Sequence, residues 1–286
     1  MPSTYAHLTF GLEVLDRYPE DRREIVWANM DLFLIGLHGP DILFYYKPLH
    51  SNPISAIGFG QHDKPAKEFF GPAAELVRNS PEELRAAQQA YLLGFLCHFA
   101  LDQACHGYIE NKIHLSGVSH AEIEMEFDRQ LLTDRGLDPF HQSLTYHIRP
   151  TVQSCQVIAP FFPPVTAKQV EKSLKSMIRS VKLLQAPHGW QRWVLDLAFR
   201  LSGNYDERHG MVMSRKPDPA CQDSSLRLIK LMHQAVETCL DLTEAYFPCL
   251  EKEGPLPEQM DLTFGPGPGW EKIPVLSYEE EVAYEF

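Results

Sequence analysis

Residues 92–106 read L92-L-G-F-L-C-H98-F-A-L-D102-Q-A-C-H106. The stretch is strongly apolar, and its few metal-capable side chains fall in register. His98, Asp102 and His106 recur at i, i+4 and i+8. Residues four apart on a helix stack on one face, so the three aim at one region of space. S80-P-E-E supplies an N-cap, a proline at the first helical position and two early acids. A long buried helix from 81 to about 111 is therefore expected, central to the fold.

Just downstream, S119-H120-A-E-I-E124 reads as an N-cap opening a helix from 120 to about 133, ended by G136-L-D-P. His120 and Glu124 are again four apart, and Asp128 continues their face, while Glu122 and Glu126 point elsewhere and are expected in solvent. The turn from 112 to 119 is short enough to fold the two helices antiparallel. Five imidazole and carboxylate groups exceed what one zinc ion needs, which argues for two or more metals and hydrolytic chemistry. Asp102, in so apolar a helix, requires a strong partner. A hydrogen-bonded His/Asp core network is the alternative to ligation.

Further out, helical patterns are expected over 3–16, 20–36, 67–79, 167–185, 189–203 and 223–247, with no β-alternation and no internal repeat. The fold class is all-α. Residues 1–150 form the helical metal-binding catalytic region, and a break near F161-F-P-P precedes further helices over 151–250, packed on the same domain. Residues 251–286 are a Pro/Gly-rich acidic tail, expected to lie extended over the surface or to be partly mobile. The stretch 41–63 reads as a long irregular loop. Its Phe44 and Tyr45, with Phe59, are expected to line a substrate cleft. G39-P-D41 puts Asp41 at a turn, either as a turn residue or as a bridging carboxylate. His7 lies on the apolar face of the first helix, and His62-Asp63 invites comparison with HD-type phosphohydrolases. His50, His114, His141, His147, His188, His209 and His233 have no partner at ligand spacing and read as structural or surface residues.

The chain has 286 residues, enough for a substantial core. Its net charge of −12 makes a nucleic-acid polymer an unsuitable partner. Cys97, Cys105, Cys155, Cys221, Cys239 and Cys249 form no CxxC pairs and read as buried thiols of a reducing compartment. The N-terminal stretch lacks the apolar run of a signal peptide, and no segment has the roughly 18 consecutive apolar residues of a membrane span. A soluble, cytoplasmic protein is expected.

Taken together, His7, G39-P-D41, His62, H98-x-x-x-D102, His106 and H120-x-x-x-E124 resemble the zinc-dependent phospholipase C family over about residues 1–130. That family is related to the S1/P1-type nucleases, and the resemblance implies an all-helical fold with clustered zinc. It implies one ion held by His62, His98 and Asp102, and a second by His106, His120 and Glu124, with Asp41 bridging the two. Asp41 would also act as, or orient, the general base. His7 would face a third zinc sharing the Asp102 carboxylate. Secreted members complete that third site with a mature N-terminal Trp, so two Zn2+ are expected here and a third is left open. His50 is the fallback for His62. The implied reaction is attack of metal-activated water on a phosphodiester, with a phospholipid head group, a small phosphodiester or a nucleotide as substrate. The competing readings are a non-catalytic helical protein with a structural metal or His/Asp network, and an HD-like phosphohydrolase centred on His62 and Asp63.

Overall fold

A computed structural model describes residues 3–203 and 205–285. Helices α1 (Thr4–Arg17), α2 (Glu20–Ala28) and α3 (Met30–Gly36) lead into a 3-10 segment, Gly39–Tyr45, and then α4 (Pro53–His62) and α5 (Lys67–Asn79). The long α6 (Glu82–Ser116) and α7 (His120–Asp134) follow, then α8 (Val152–Ile158), α9 (Ala167–Gln185), α10 (Gly189–Leu201) and α11 (Tyr205–Arg208). Helices α12 (Gln222–Glu251) and α13 (Tyr278–Ala283) complete the fold, which has no strand among the described residues. The protein is all-α.

Helix α6 is the axis. It is apolar nearly all round because α3, α12, α1 and α5 pack around it, so no polar face is needed. Its closest neighbour is α3. A Cβ on Gly94 would sit 2.1 Å from the Phe33 carbonyl oxygen, and one on Gly36 would sit 2.3 Å from that of Tyr91. The two backbones therefore touch, which only glycine permits. One cluster of buried side chains draws its members from Tyr5 through to Phe264, so both halves of the chain share one core. The six cysteines are buried and unpaired. No helix among the described residues is long and apolar enough to cross a membrane.

The structure departs from expectation in four places. The 20–36 stretch is two helices, because Asn29 takes a non-helical φ of −135° and its side chain donates to the Ile25 carbonyl at 3.1 Å. The 41–63 stretch is largely helical. Asn52 Oδ1 accepts from Ile54 N at 3.1 Å and Ser55 N at 3.0 Å, so Asn52-Pro53 is a cap followed by a first-turn proline that opens α4. Glu126 is not in solvent: it is buried, accepting from Arg129 Nε at 2.8 Å and from Asp218 N at 3.1 Å. Glu122, partly buried, joins the Ser119 capping box and lies 3.0 Å from His209 Nε2.

Nor does the segment after 250 spread over the surface. Met260 and Phe264 are fully buried, and the Leu262 carbonyl accepts from Ala66 N at 2.8 Å. Helix α13 is fixed to α12 by Glu281, whose carboxylate takes Arg227 Nε at 2.9 and 3.0 Å inside the core. Burying these apolar side chains and satisfying Arg227 outweighs the cost of ordering a Pro/Gly-rich segment.

Candidate metal centre

Eight side chains from α1, α4, α6, α7 and the Gly39–Tyr45 segment converge beside the middle of α6. They form three sets whose donor atoms lie within 4.8 Å of one another: His7, His98 and Asp102; Asp41, His62 and His98; His106, His120 and Glu124. Asp102 joins them. Its Oδ1 is 3.2 Å from His7 Nε2 and 3.7 Å from His106 Nε2, and its Oδ2 is 3.1 Å from His98 Nε2 and 3.8 Å from His62 Nε2. Asp41 Oδ1 stands 3.0 Å from His62 Nε2 and 4.0 Å from His98 Nε2. Glu124 Oε1 stands 3.2 Å from His120 Nε2 and 4.0 Å from His106 Nε2. Asp102, rather than Asp41, reaches histidines of all three sets.

The residues fit a metal. His98 is wholly buried, yet neither of its ring nitrogens has a hydrogen-bond partner, and Asp41 Oδ1 is buried without one too. Asp102 Oδ2 lies 3.1 Å from His98 Nε2, and His62 Nε2 lies 3.0 Å from Asp41 Oδ1, each off the line of a hydrogen bond. Donors about 3.3 Å apart that face a shared point mark the corners of a tetrahedron around an ion with ligand distances of about 2.0–2.1 Å. Buried polar atoms left unpaired are costly, and a cation would satisfy them. Imidazole nitrogen with carboxylate oxygen is a donor set that suits zinc.

Two of these histidines are held from behind. His62 Nδ1 lies 3.0 Å from the Gly58 carbonyl, one turn back on α4, and this leaves Nε2 to face Asp41. His106 Nδ1 lies 2.6 Å from the Phe264 carbonyl, which turns its Nε2 towards Asp102 and Glu124. Such backing fixes tautomer and ring orientation. Asp128 accepts from Tyr5 N at 3.0 Å and Ala6 N at 2.8 Å, so α7 caps the first turn of α1 and sets where His7 lies. Gly39 has φ +47°, and a Cβ there would sit 2.2 Å from His98 Cδ2. The turn carrying Asp41 can approach His98 only because residue 39 has no side chain.

Charge is shared tightly. Burial disfavours the His62 imidazolium, but the adjacent Asp41 carboxylate outweighs it and holds the pKa at about 9. Burial likewise opposes a charge on His106, and Asp102 and Glu124 overcome it, giving about 10. Burial pushes Glu124 up, but His120 and His106 bring it well below the usual carboxylate range. Asp128 goes the other way, raised by burial to about 7 despite its two backbone donors.

Phe44 and Phe59 stack at 4.0 Å beside a cleft of about 440 Å³, and Phe44 packs on His62 with ring centres 5.2 Å apart. Tyr45 does not line this cleft. It is buried, its hydroxyl unpartnered, and burial beside Asp41 pushes its pKa up. His50 lines the cleft, exposed and outside all three ligand sets, so His62 is the histidine that meets Asp41. Asp63 is exposed and also outside them, so no HD-type pair is built.

Some supporting groups carry no signature in the sequence. His38 and His147 are buried with Nε2 atoms 2.7 Å apart, one donating to the other. Burial lowers both pKa values, His147 to about 4, so the pair stays neutral and ties the chain near 147 to the turn before Gly39. The Phe264 carbonyl is a backbone atom supplied from far along the chain.

No curated protein and no solved structure matches the chain. The family model for zinc-dependent phospholipase C matches residues 6–163, which include every side chain of the three sets above, from His7 on α1 to Glu124 on α7. With more than half of its length matched, and an all-helical fold around clustered imidazoles and carboxylates, this chain belongs to the zinc-dependent phospholipase C family.

Proposed function

We propose that the protein hydrolyses a phosphodiester, with a phospholipid head group as the substrate class, using a zinc cluster held by the three ligand sets. The observation that carries this reading is the position of Asp102, within 3.2 Å of His7 and 3.1 Å of His98, and 3.7 Å from His106. One buried carboxylate among three histidines from two helices gains little as a hydrogen-bond network when His98 Nε2 stays unpaired. It makes sense as a shared ligand.

His62, His98, Asp41 and Asp102 would hold one ion, His106, His120 and Glu124 a second, and His7 with Asp102 a third. Bound zinc lowers the pKa of a coordinated water to about 7 and neutralises charge on phosphoryl oxygens. The protein's own groups do the rest. Asp41 Oδ1, buried and unpaired, is the atom to accept a proton from an attacking water or to orient it. His62, whose Nε2 is 3.0 Å from that oxygen, would hold the ion beside it, and its ring links the site to the aromatic cleft through Phe44. The stacked Phe44 and Phe59 offer an apolar wall to the part of the substrate beyond its phosphate.

Metal content and turnover test this together. Purified protein should carry two or three zinc ions per chain, and Asp102→Ala should lose most of them with circular dichroism unchanged. Turnover of a chromogenic phosphodiester should be chelator-sensitive and fall by about 100-fold or more in Asp41→Asn. Absence of stoichiometric metal would sink the reading. A zinc-loaded protein inert on phosphodiesters would instead assign the metals to structure.

A further inference from the structure

Helix α10 (Gly189–Leu201) has two apolar faces. One is ordinary: Leu195 is buried, with the partly buried Phe199 one turn on. The opposite face carries Trp190, Trp193, Val194, Leu197 and Leu201 at helical spacing, and all are exposed. The two tryptophans are 64% and 65% exposed, and Leu201 80%. Half of the four tryptophans in the chain therefore point into water from a single helix. Isolated exposed apolar residues are commonplace, but a contiguous stripe of five is a mark of an interaction surface.

The surroundings say which kind. Between residues 182 and 216 there are six lysines and arginines against three acids, in a chain whose net charge is −12. Lys182, Arg215 and Lys216 are exposed, and Arg215 reaches the start of α10, with Nη2 3.5 Å from the Pro187 carbonyl. A tryptophan-bearing apolar stripe in a basic segment matches the chemistry of an anionic lipid surface: aromatic rings at the headgroup level and cations on the phosphates. At 13 residues the helix spans about 20 Å, too short to cross a bilayer, so it would lie in the interface. It is also tied to the metal centre. The chain leaving α10 reaches His209, whose Nε2 lies 3.0 Å from Glu122, and Gly210, where a Cβ would meet Glu122 Cγ at 2.5 Å. Both contacts fall on the first turn of α7, beside His120, whose side chain is 44% exposed.

We propose that α10 is a membrane-docking helix, its Trp190–Leu201 face inserting into the surface of an anionic phospholipid bilayer next to the mouth of the metal centre. The choice of a bilayer over a second copy of the chain rests on the reading of the site as a phospholipid hydrolase. The basic rim supports it independently, because two copies would repel each other there.

The zinc-loaded protein is floated with vesicles of phosphatidylcholine, alone or mixed with phosphatidylserine. Binding to the mixed vesicles is expected, weakened about tenfold or more in Trp190→Ala/Trp193→Ala/Leu197→Ala. Arg215→Glu/Lys216→Glu should remove the preference for phosphatidylserine. In a Trp27→Phe/Trp270→Phe background, the remaining fluorescence should shift to the blue and be quenched by brominated lipid. No binding by the wild-type protein would overturn the proposal, as would unchanged binding by the triple variant. A dimer in sedimentation velocity that the triple variant dissociates would overturn it too, giving the face to a second copy. Turnover of a water-soluble phosphodiester, unchanged in the triple variant, separates the two claims. Turnover without vesicle binding refutes docking alone. Vesicle binding without turnover upholds docking and refutes the hydrolase reading.

Discussion

Two imidazoles in the centre, His62 and His106, are claimed by two kinds of cation. In the metal-free protein His62 and His106 carry protons at neutral pH, held by Asp41, Asp102 and Glu124, with pKa values of about 9 and 10. Ligation needs the neutral ring, so zinc must displace those protons. Calorimetric titration at pH 7 in buffers of different ionisation enthalpy should therefore show proton release, and apparent affinity should climb with pH towards 9–10. Binding without proton exchange would remove both residues from the ligand set. The sign for folding is the reverse. Both pKa values lie above the ordinary 6.5, so these pairs give the metal-free protein stability that is complete below about pH 6.5 and lost as pH rises through 9–10. The clustering of His98, Asp102, His106, His120 and Glu124 on α6 and α7 is legible because four-residue spacing is a local property. His7, Asp41 and His62 have no such spacing: the Gly-Pro turn left Asp41 open between a turn residue and a bridging carboxylate, and only the family resemblance implies a shared site for all three. The His38–His147 contact joins residues 109 positions apart and left no trace at all.

Among the elements, the contact between α3 and α6 sets the geometry of the centre, since α3 leads directly into the turn that holds Asp41. With Gly94 facing the Phe33 carbonyl at 2.1 Å from where a Cβ would be, Gly94→Ala must push the helices apart. The expected loss is about 1–3 kcal/mol, read as a drop of roughly 2–10 °C in Tm, and metal affinity should fall with it because Asp41 moves relative to His98. An unchanged Tm would show that the helices have slack there. The long helices α6, α9 and α12 fell close to where their apolar periodicity put them. Short elements did not. Pro53 and the glycines of α4 look like loop punctuation until Asn52 is seen capping the helix, and the two short helices around Asn29 share one continuous apolar pattern.

For the molecule as a whole, the segment after 250 is a clasp. Glu281 sits in the core against Arg227, and removing the carboxylate leaves a guanidinium deprived of its main counter-charge at a fully buried site. Glu281→Ala should cost about 3–5 kcal/mol in chemical denaturation, with Glu281→Gln intermediate. A loss under about 1 kcal/mol would mean that α13 peels away at little cost. Composition hid this clasp, because a Pro/Gly-rich acidic stretch resembles a disordered tail until Met260, Phe264 and Glu281 are found buried.

The Phe264 carbonyl that orients His106 also bears on the order of biosynthesis. His98, Asp102 and His106 leave the ribosome more than 150 residues before Phe264 does. A nascent chain thus displays its ligands well before His106 has its backing. Zinc captured before Phe264 is in place would meet a loosely held His106 ring.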